Sequence, residues 1–188
     1  MAAYEAIATN EVMGAYVQTL TWSSIPQTYE HLVLRGSLRK GGISQQNSGI
    51  DLAMKMEFNN NTASTWAEAY HGSSGGGGGA RAVNTLGYVR NLTANGTRYP
   101  HFMYVEIVIG GYSRTDNAKS ALYRTWGGTK ESSTSGTVGM IIGCLCEDPD
   151  GGTLAAISEI DLTCVGSSNP DYQFGAGSIM TLYGLNSS

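Results

Sequence analysis

Charge is what this sequence has least of. Asp, Glu, Lys and Arg make up only 14% of its 188 residues, against roughly 25% in an ordinary soluble domain. The Lys and Arg are scattered rather than gathered in a stripe, and the net charge is −4 with a pI near 5.3. Nucleic-acid binding needs clustered cations to neutralise phosphates, so it is disfavoured. There is no apolar run of the ~18 residues that a helical membrane span requires, so no membrane partner is expected. The first residues, Met1 to Ala8, lack the basic region and long apolar run of a secretion signal, and use without export is the expectation. Cysteine is scarce and odd in number, at three. Cys144, Cys146 and Cys164 are expected to be reduced and buried as small hydrophobes. Cys164 on a neighbouring strand could pair with one of the others if the geometry fits. CxC without a second close pair, with His31, His71 and His101 far off in sequence, lacks zinc-ligand spacing, and no metal site is expected.

Glycine is what the sequence has in excess, 26 residues, about twice the usual ~7%. Hydrophobic residues at 41% suffice for a core. With so little charge, solubility rests on Ser, Thr, Asn and Gly, or on partners that cover the surface. Residues 1–188 read as a single domain with a short N-terminal strand or arm over 1–14.

The stretch from Tyr16 to Arg39 organises the rest. Two strand-like runs flank a proline turn, Ser23 to Gln27. In the second run Leu32, Leu34 and Leu38 fall on one face, because side chains of a strand alternate. Leu52, Met54, Met56 and Phe58 repeat that period of two, closed by Asn59-Asn60-Asn61. A short strand carries Trp66, Glu68 and Tyr70, and another is expected near Thr85 to Val89. From His101 to Ile109, Met103, Val105, Ile107 and Ile109 share one face. Phe102, Tyr104 and Val108 make the other face apolar too, around Glu106. A strand of that kind sits centrally in a sheet or under an interface. Ala118 to Trp126 carries Leu122, Tyr123 and Trp126. Val138, Met140, Ile142, Cys144 and Cys146 form one alternating face, Ile160, Leu162 and Cys164 another, and Gly177 to Leu185 is a last strand. The run of glycines from Gly75 to Gly79 reads as a mobile surface loop, since it has no side chains to pack. The whole predicts an all-β fold: an antiparallel β-sandwich, jelly-roll-like, of about nine or ten strands.

Residues that could carry chemistry are few. Asp148-Pro149-Asp150-Gly151-Gly152 offers oxygens for calcium but lacks the EF-hand spacing, and reads as a turn. Glu68 with Glu106 is a conceivable glycosidase pair. No G-x-S-x-G elbow is present. Asn60, Asn91 and Asn95 head N-x-T triplets that read as turns in an unexported chain. No catalytic residue and no cofactor are assigned, and the chain is not expected to be an enzyme. Trp22, Trp66 and Trp126 with the many tyrosines suit core packing, an oligomer interface or a sugar platform.

One resemblance stands above these. Ser24-Ile25-Pro26-Gln27-Thr28-Tyr29 feeding His31 to Arg35 resembles an S-I-P-Q-T-Y turn and H-L-x-L-R strand of small virion proteins of tailed bacteriophages. Phe58-Asn59-Asn60-Asn61, followed by Trp66 to Tyr70, is similar to their F-N-x-D run and aromatic strand. Gly177-Ser178 through Leu182-Tyr183-Gly184 resembles their closing G-S-x-x-x-L-Y-G strand. Asn61 stands where an acidic residue is usual, and the glycine run is an addition. The resemblance implies a β-sandwich virion component, assembled in the host cytoplasm. It points to a capsid decoration or cement protein that binds junctions of the major capsid protein and stabilises the head, itself a dimer or trimer. The alternative is a tail-fibre or receptor-binding module that takes host-surface glycan. Phe102, Tyr104, Tyr112 and Trp126 are the expected partner contacts.

Overall fold

The computed structural model describes residues 3–14, 16–39, 41, 54–61, 65–72, 79–84, 87–89, 102–130, 136–148, 154–165 and 173–186. These form twelve strands: β1 (Ala3–Glu11), β2 (Thr19–Trp22), β3 (His31–Leu38), β4 (Met54–Phe58), β5 (Thr65–Gly72), β6 (Gly79–Asn84), β7 (Gly87–Val89), β8 (Met103–Gly110), β9 (Ser120–Lys130), β10 (Gly136–Asp148), β11 (Ile160–Cys164) and β12 (Ile179–Asn186). Every pairing is antiparallel. The large sheet has eight strands in the order β1-β12-β3-β8-β9-β10-β5-β6, and the small sheet four, β2-β11-β4-β7. The all-β antiparallel sandwich expected from the alternation is the fold. The described strands number twelve against the nine or ten expected, and the one with no counterpart among the runs read from the sequence is β6, which begins at Gly79, the end of the glycine run. Gly75 to Gly78 lie outside the described residues, as do His101 and the Pro149 to Gly152 turn.

Alternation explains how the sheets meet. Leu32, Leu34 and Leu38 of β3 are buried, as are Met103, Val105, Ile107 and Ile109 of β8 and Met180 and Leu182 of β12. They pack against Leu20 and Trp22 of β2, Met54, Met56 and Phe58 of β4, and Ile160, Leu162 and Cys164 of β11. One continuous core therefore fills the space between the sheets, the usual solution for two faces that must both leave water. The strand predicted to be apolar on both sides, β8, is interior to the large sheet, between β3 and β9.

The proline turn forms the frame at one end of the sandwich. Ile25 is buried, its N–H donates to Ser158 O at 3.0 Å, and Gln27 Nε2 donates to Ile157 O at 2.8 Å. Tyr112 is 0% exposed. Its hydroxyl donates to Pro26 O and accepts from the Tyr29 N–H, and burial raises its pKa above the ordinary tyrosine range. Tyr112 thus ties two turns together from inside, which corrects its expected role as a surface contact. Asn59 and Asn60 both have φ of 53°, the left-handed turn conformation that Asn tolerates. Asn59 then braces the segment before β11: its Oδ1 accepts from the N–H groups of Ser158 and Glu159, and its Nδ2 donates to Ala156 O.

Two glycines in strands make room for rings. A Cβ at Gly143 of β10 would collide with the Tyr123 ring, and one at Gly184 of β12 with the Tyr29 ring. Tyr123 is buried beside the first, so β10 turns its odd-numbered side chains, Ile141 and Leu145, to the core. Met140, Ile142, Cys144 and Cys146 face outward and are exposed.

Candidate docking face

Among the described residues, the outward side of the large sheet is rich in exposed apolar side chains. Of the large hydrophobic side chains exposed among the described residues, all but Met13 and Tyr16 lie on it: Tyr4, Phe102, Leu122, Trp126, Met140, Ile142 and Ile179. Cross-strand register arranges them in rows. One row runs Ile179, Ser37, Tyr104, Trp126, Met140, and another Tyr183, Val33, Val108, Leu122, Cys144. Leu122 is 57% exposed, Ile142 44% and Met140 43%. Val33, between Tyr183 and Val108, is buried although it faces away from the core.

Between these rows runs a ladder of charge. Arg35, Glu106 and Arg124 are cross-strand neighbours on β3, β8 and β9. Arg35 Nε lies 2.6 Å from Glu106 Oε2, and an Arg124 Nη lies 2.5 Å from the other carboxylate oxygen. Two guanidiniums clamp one carboxylate that is only 6% exposed. Burial acts against the charge on Arg35, but its hydrogen bond to Glu106 acts the other way and its pKa ends above the ordinary value. Aromatic rings complete the stripe. Arg35 sits 4.5 Å over the Tyr4 ring and donates to the Tyr4 hydroxyl. Arg124 lies 5.5 Å from the Trp126 ring centre. Tyr104 and Trp126 stack at 4.0 Å, 29° from parallel, which the cross-strand pairing of these two residues dictates.

Three of the four contacts expected from the sequence, Phe102, Tyr104 and Trp126, are thus brought together on this face, and Tyr112 is not. Leu122, Met140, Ile142, Arg35 and Arg124 belong to it as well. Their signal in the sequence was the alternation itself, which fixes who shares a side but not which side is inside.

The other candidates fall apart. Cys164 is buried in the small sheet, Cys144 and Cys146 are exposed on the large one, and all are free thiols. Neither the pairing nor the burial of all three holds, because Cys144 and Cys146 point out of the large sheet while Cys164 lies in the core. Glu68 stands opposite Leu145 on β5, and β9 and β10 separate that strand from β8, which carries Glu106. A crevice of about 210 Å³ is lined by Phe58, Asn59, Asn61, Asn117, Lys119, Glu147, Leu154, Ala155 and Ile157. Its buried Lys119 donates to Arg114 O. Burial holds the Lys119 pKa down, and the nearby Glu147 charge works against that shift. Asn59, on its wall, is committed to Ala156, Ser158 and Glu159. Among the described residues no three His, Cys, Asp or Glu side chains cluster to hold a metal. No helix among the described residues is long and apolar enough to cross a membrane.

No protein-family model matches the chain, and neither a curated protein nor a solved structure matches it.

Proposed function

We propose that the chain is a structural component of a tailed-phage virion, a head decoration protein that works by assembly rather than by bond-making. The observation that carries this reading is the outward face of the large sheet, where exposed apolar rows flank a charge ladder that is already paired. Isolated soluble domains rarely expose contiguous apolar patches beyond a few hundred Å², and the chain's low charge leaves it dependent on cover. The resemblance of the proline turn and the last strand to phage virion proteins supplies the particle. On this reading the protein binds assembled coat and not free coat, and so adds stability to the shell by mass action. The test strips the protein from purified particles and adds it back. The expected result is a loss of thermal and osmotic resistance on stripping and recovery on addition, with the chain located on the head by imaging. Unchanged resistance sinks the decoration role.

A second reading is a receptor-binding module, favoured by the Tyr104–Trp126 stack beside the Arg124 guanidinium. Aromatic faces with an adjacent donor suit a sugar ring. Binding on a glycan array that is lost in Trp126→Ala, with the chain imaged at the tail, would replace the first reading with this one.

A further inference from the structure

We infer that Arg124, Trp126 and Tyr104 form a site for an acidic sugar, a pyranose that carries a carboxylate. The inference rests on the second, sugar-binding reading of this aromatic stack and names the class of sugar it takes.

The two arginines of the charge ladder are not equivalent. Arg35 is tied at both ends: its Nε lies 2.6 Å from Glu106 Oε2, and an Nη donates to the Tyr4 hydroxyl at 3.1 Å. Arg124 meets Glu106 Oε1 through an Nη, and half of its side chain is exposed. A guanidinium carries several N–H donors in a fixed fork, so Arg124 keeps donors for a group outside the chain.

Glu106 holds that fork in place and does not repel an incoming anion. Both of its oxygens are covered by guanidiniums, and two cations against one carboxylate leave the ladder with an excess positive charge. An arginine fork accommodates a carboxylate through two parallel N–H···O bonds, a geometry that an ammonium does not offer. Sign and shape together therefore select a carboxylate at this point of the face.

The aromatic pair supplies the rest of the site. Tyr104 and Trp126 are cross-strand partners stacked at 4.0 Å. The indole is thus held by a neighbouring ring and has little freedom left to lose on binding. It remains 36% exposed, and the Arg124 guanidinium lies 5.5 Å from its ring centre. A pyranose that rests its C–H face on the indole brings an exocyclic carboxylate to the guanidinium. An acidic side chain of a protein partner also satisfies Arg124, but it has no use for the ring beside it. A sugar acid uses both.

The test is made on the intact chain, by titration calorimetry and on an array of neutral, carboxylated and sulfated oligosaccharides. The expected result is binding to carboxylated members at least about tenfold tighter than to the same sugars with the carboxyl reduced. Arg124→Gln is expected to erase that preference and to leave the weaker binding of neutral sugars. Arg124→Lys, which keeps the charge but not the fork, should recover only part of it. Trp126→Ala is expected to remove binding of both kinds. Lys55→Ala takes a cation from the opposite outer face and should change nothing. Cys164 is buried in the core and stays closed to maleimide in every folded variant. If Arg124→Gln opens it, the comparison of carboxylated with reduced sugars on the unaltered chain decides the matter. Equal binding of the two, or a preference that survives Arg124→Gln in a folded chain, overturns the inference and leaves the sugar-binding reading standing. Sulfated sugars that bind tighter than carboxylated ones overturn it as well. Binding to no saccharide at all overturns both. If Arg124→Gln then weakens attachment to particles, the arginine meets coat, and the decoration reading stands.

Discussion

The two outer faces of this sandwich obey different rules. On the small sheet, buried Leu20, Met56 and Leu162 alternate with outward Thr21, Lys55, Glu57 and Thr163, the apolar-in, polar-out pattern of a sheet with one wet side. On the large sheet the outward set includes Tyr104, Val108, Leu122, Trp126, Met140 and Ile142, with polarity in one clamped carboxylate and its two arginines and, toward β1, in the Thr9–Thr181 pair. One chain building both kinds of face side by side teaches that the apolar one is a feature of design and not of composition.

The comparison can be broken most severely within β10. Leu145→Ala, in the core, is expected to cost about 2–5 kcal/mol, whereas Cys144→Ser, one residue away on the outer face, should stay within about 0.5 kcal/mol in the monomer. Urea unfolding of both variants measures this, and a reversed order, with Cys144→Ser the costlier change, would mean that β10 is inserted one residue out of register. The next largest effect concerns the charge ladder. Glu106→Gln leaves two guanidiniums facing each other without their carboxylate and should cost about 1–2 kcal/mol, discounted for the water around the half-exposed arginines. A loss that vanishes in high salt would show that the clamp is an ordinary surface pair. The smallest effect belongs to the small sheet. Glu57→Gln, which removes the partner of Lys55 at 2.8 Å, should change stability by no more than about 0.5 kcal/mol in thermal melts. A loss as large as that for Glu106 would erase the distinction between the two faces.

Period-two alternation carried the fold class in the sequence, most plainly where Lys55 and Glu57 separate Met54, Met56 and Phe58 and where Arg35, Gly36 and Ser37 separate Leu34 from Leu38. It failed to orient β10, where Ile141 and Leu145 alternate with Met140, Ile142 and Cys144 and both sets are apolar. The choice is made in three dimensions, by the Tyr123 ring lying over Gly143. The candidate face was legible only in part for the same reason. Tyr104 and Trp126 stood out as aromatics, but their stacking needs the β8–β9 register. Arg35, Glu106 and Arg124 come from three strands far apart in sequence. Tyr112 was misplaced because it follows Gly111 in a turn, where no periodicity tells inside from outside. β6 gave no signal, since glycine and alanine supply little to alternate.

The strand order has a consequence for how the protein is made. β12 is inserted between β1 and β3, and β11 between β2 and β4. The N-terminal strands of both sheets therefore wait, with their ladder edges open, until the C-terminal strands have been synthesised. Contacts of such sequence separation form slowly and leave sticky intermediates. A ribosome-bound chain stalled before Ile160 cannot close either layer, so its exposed ribbons are the stage at which chaperone capture or aggregation competes with completion.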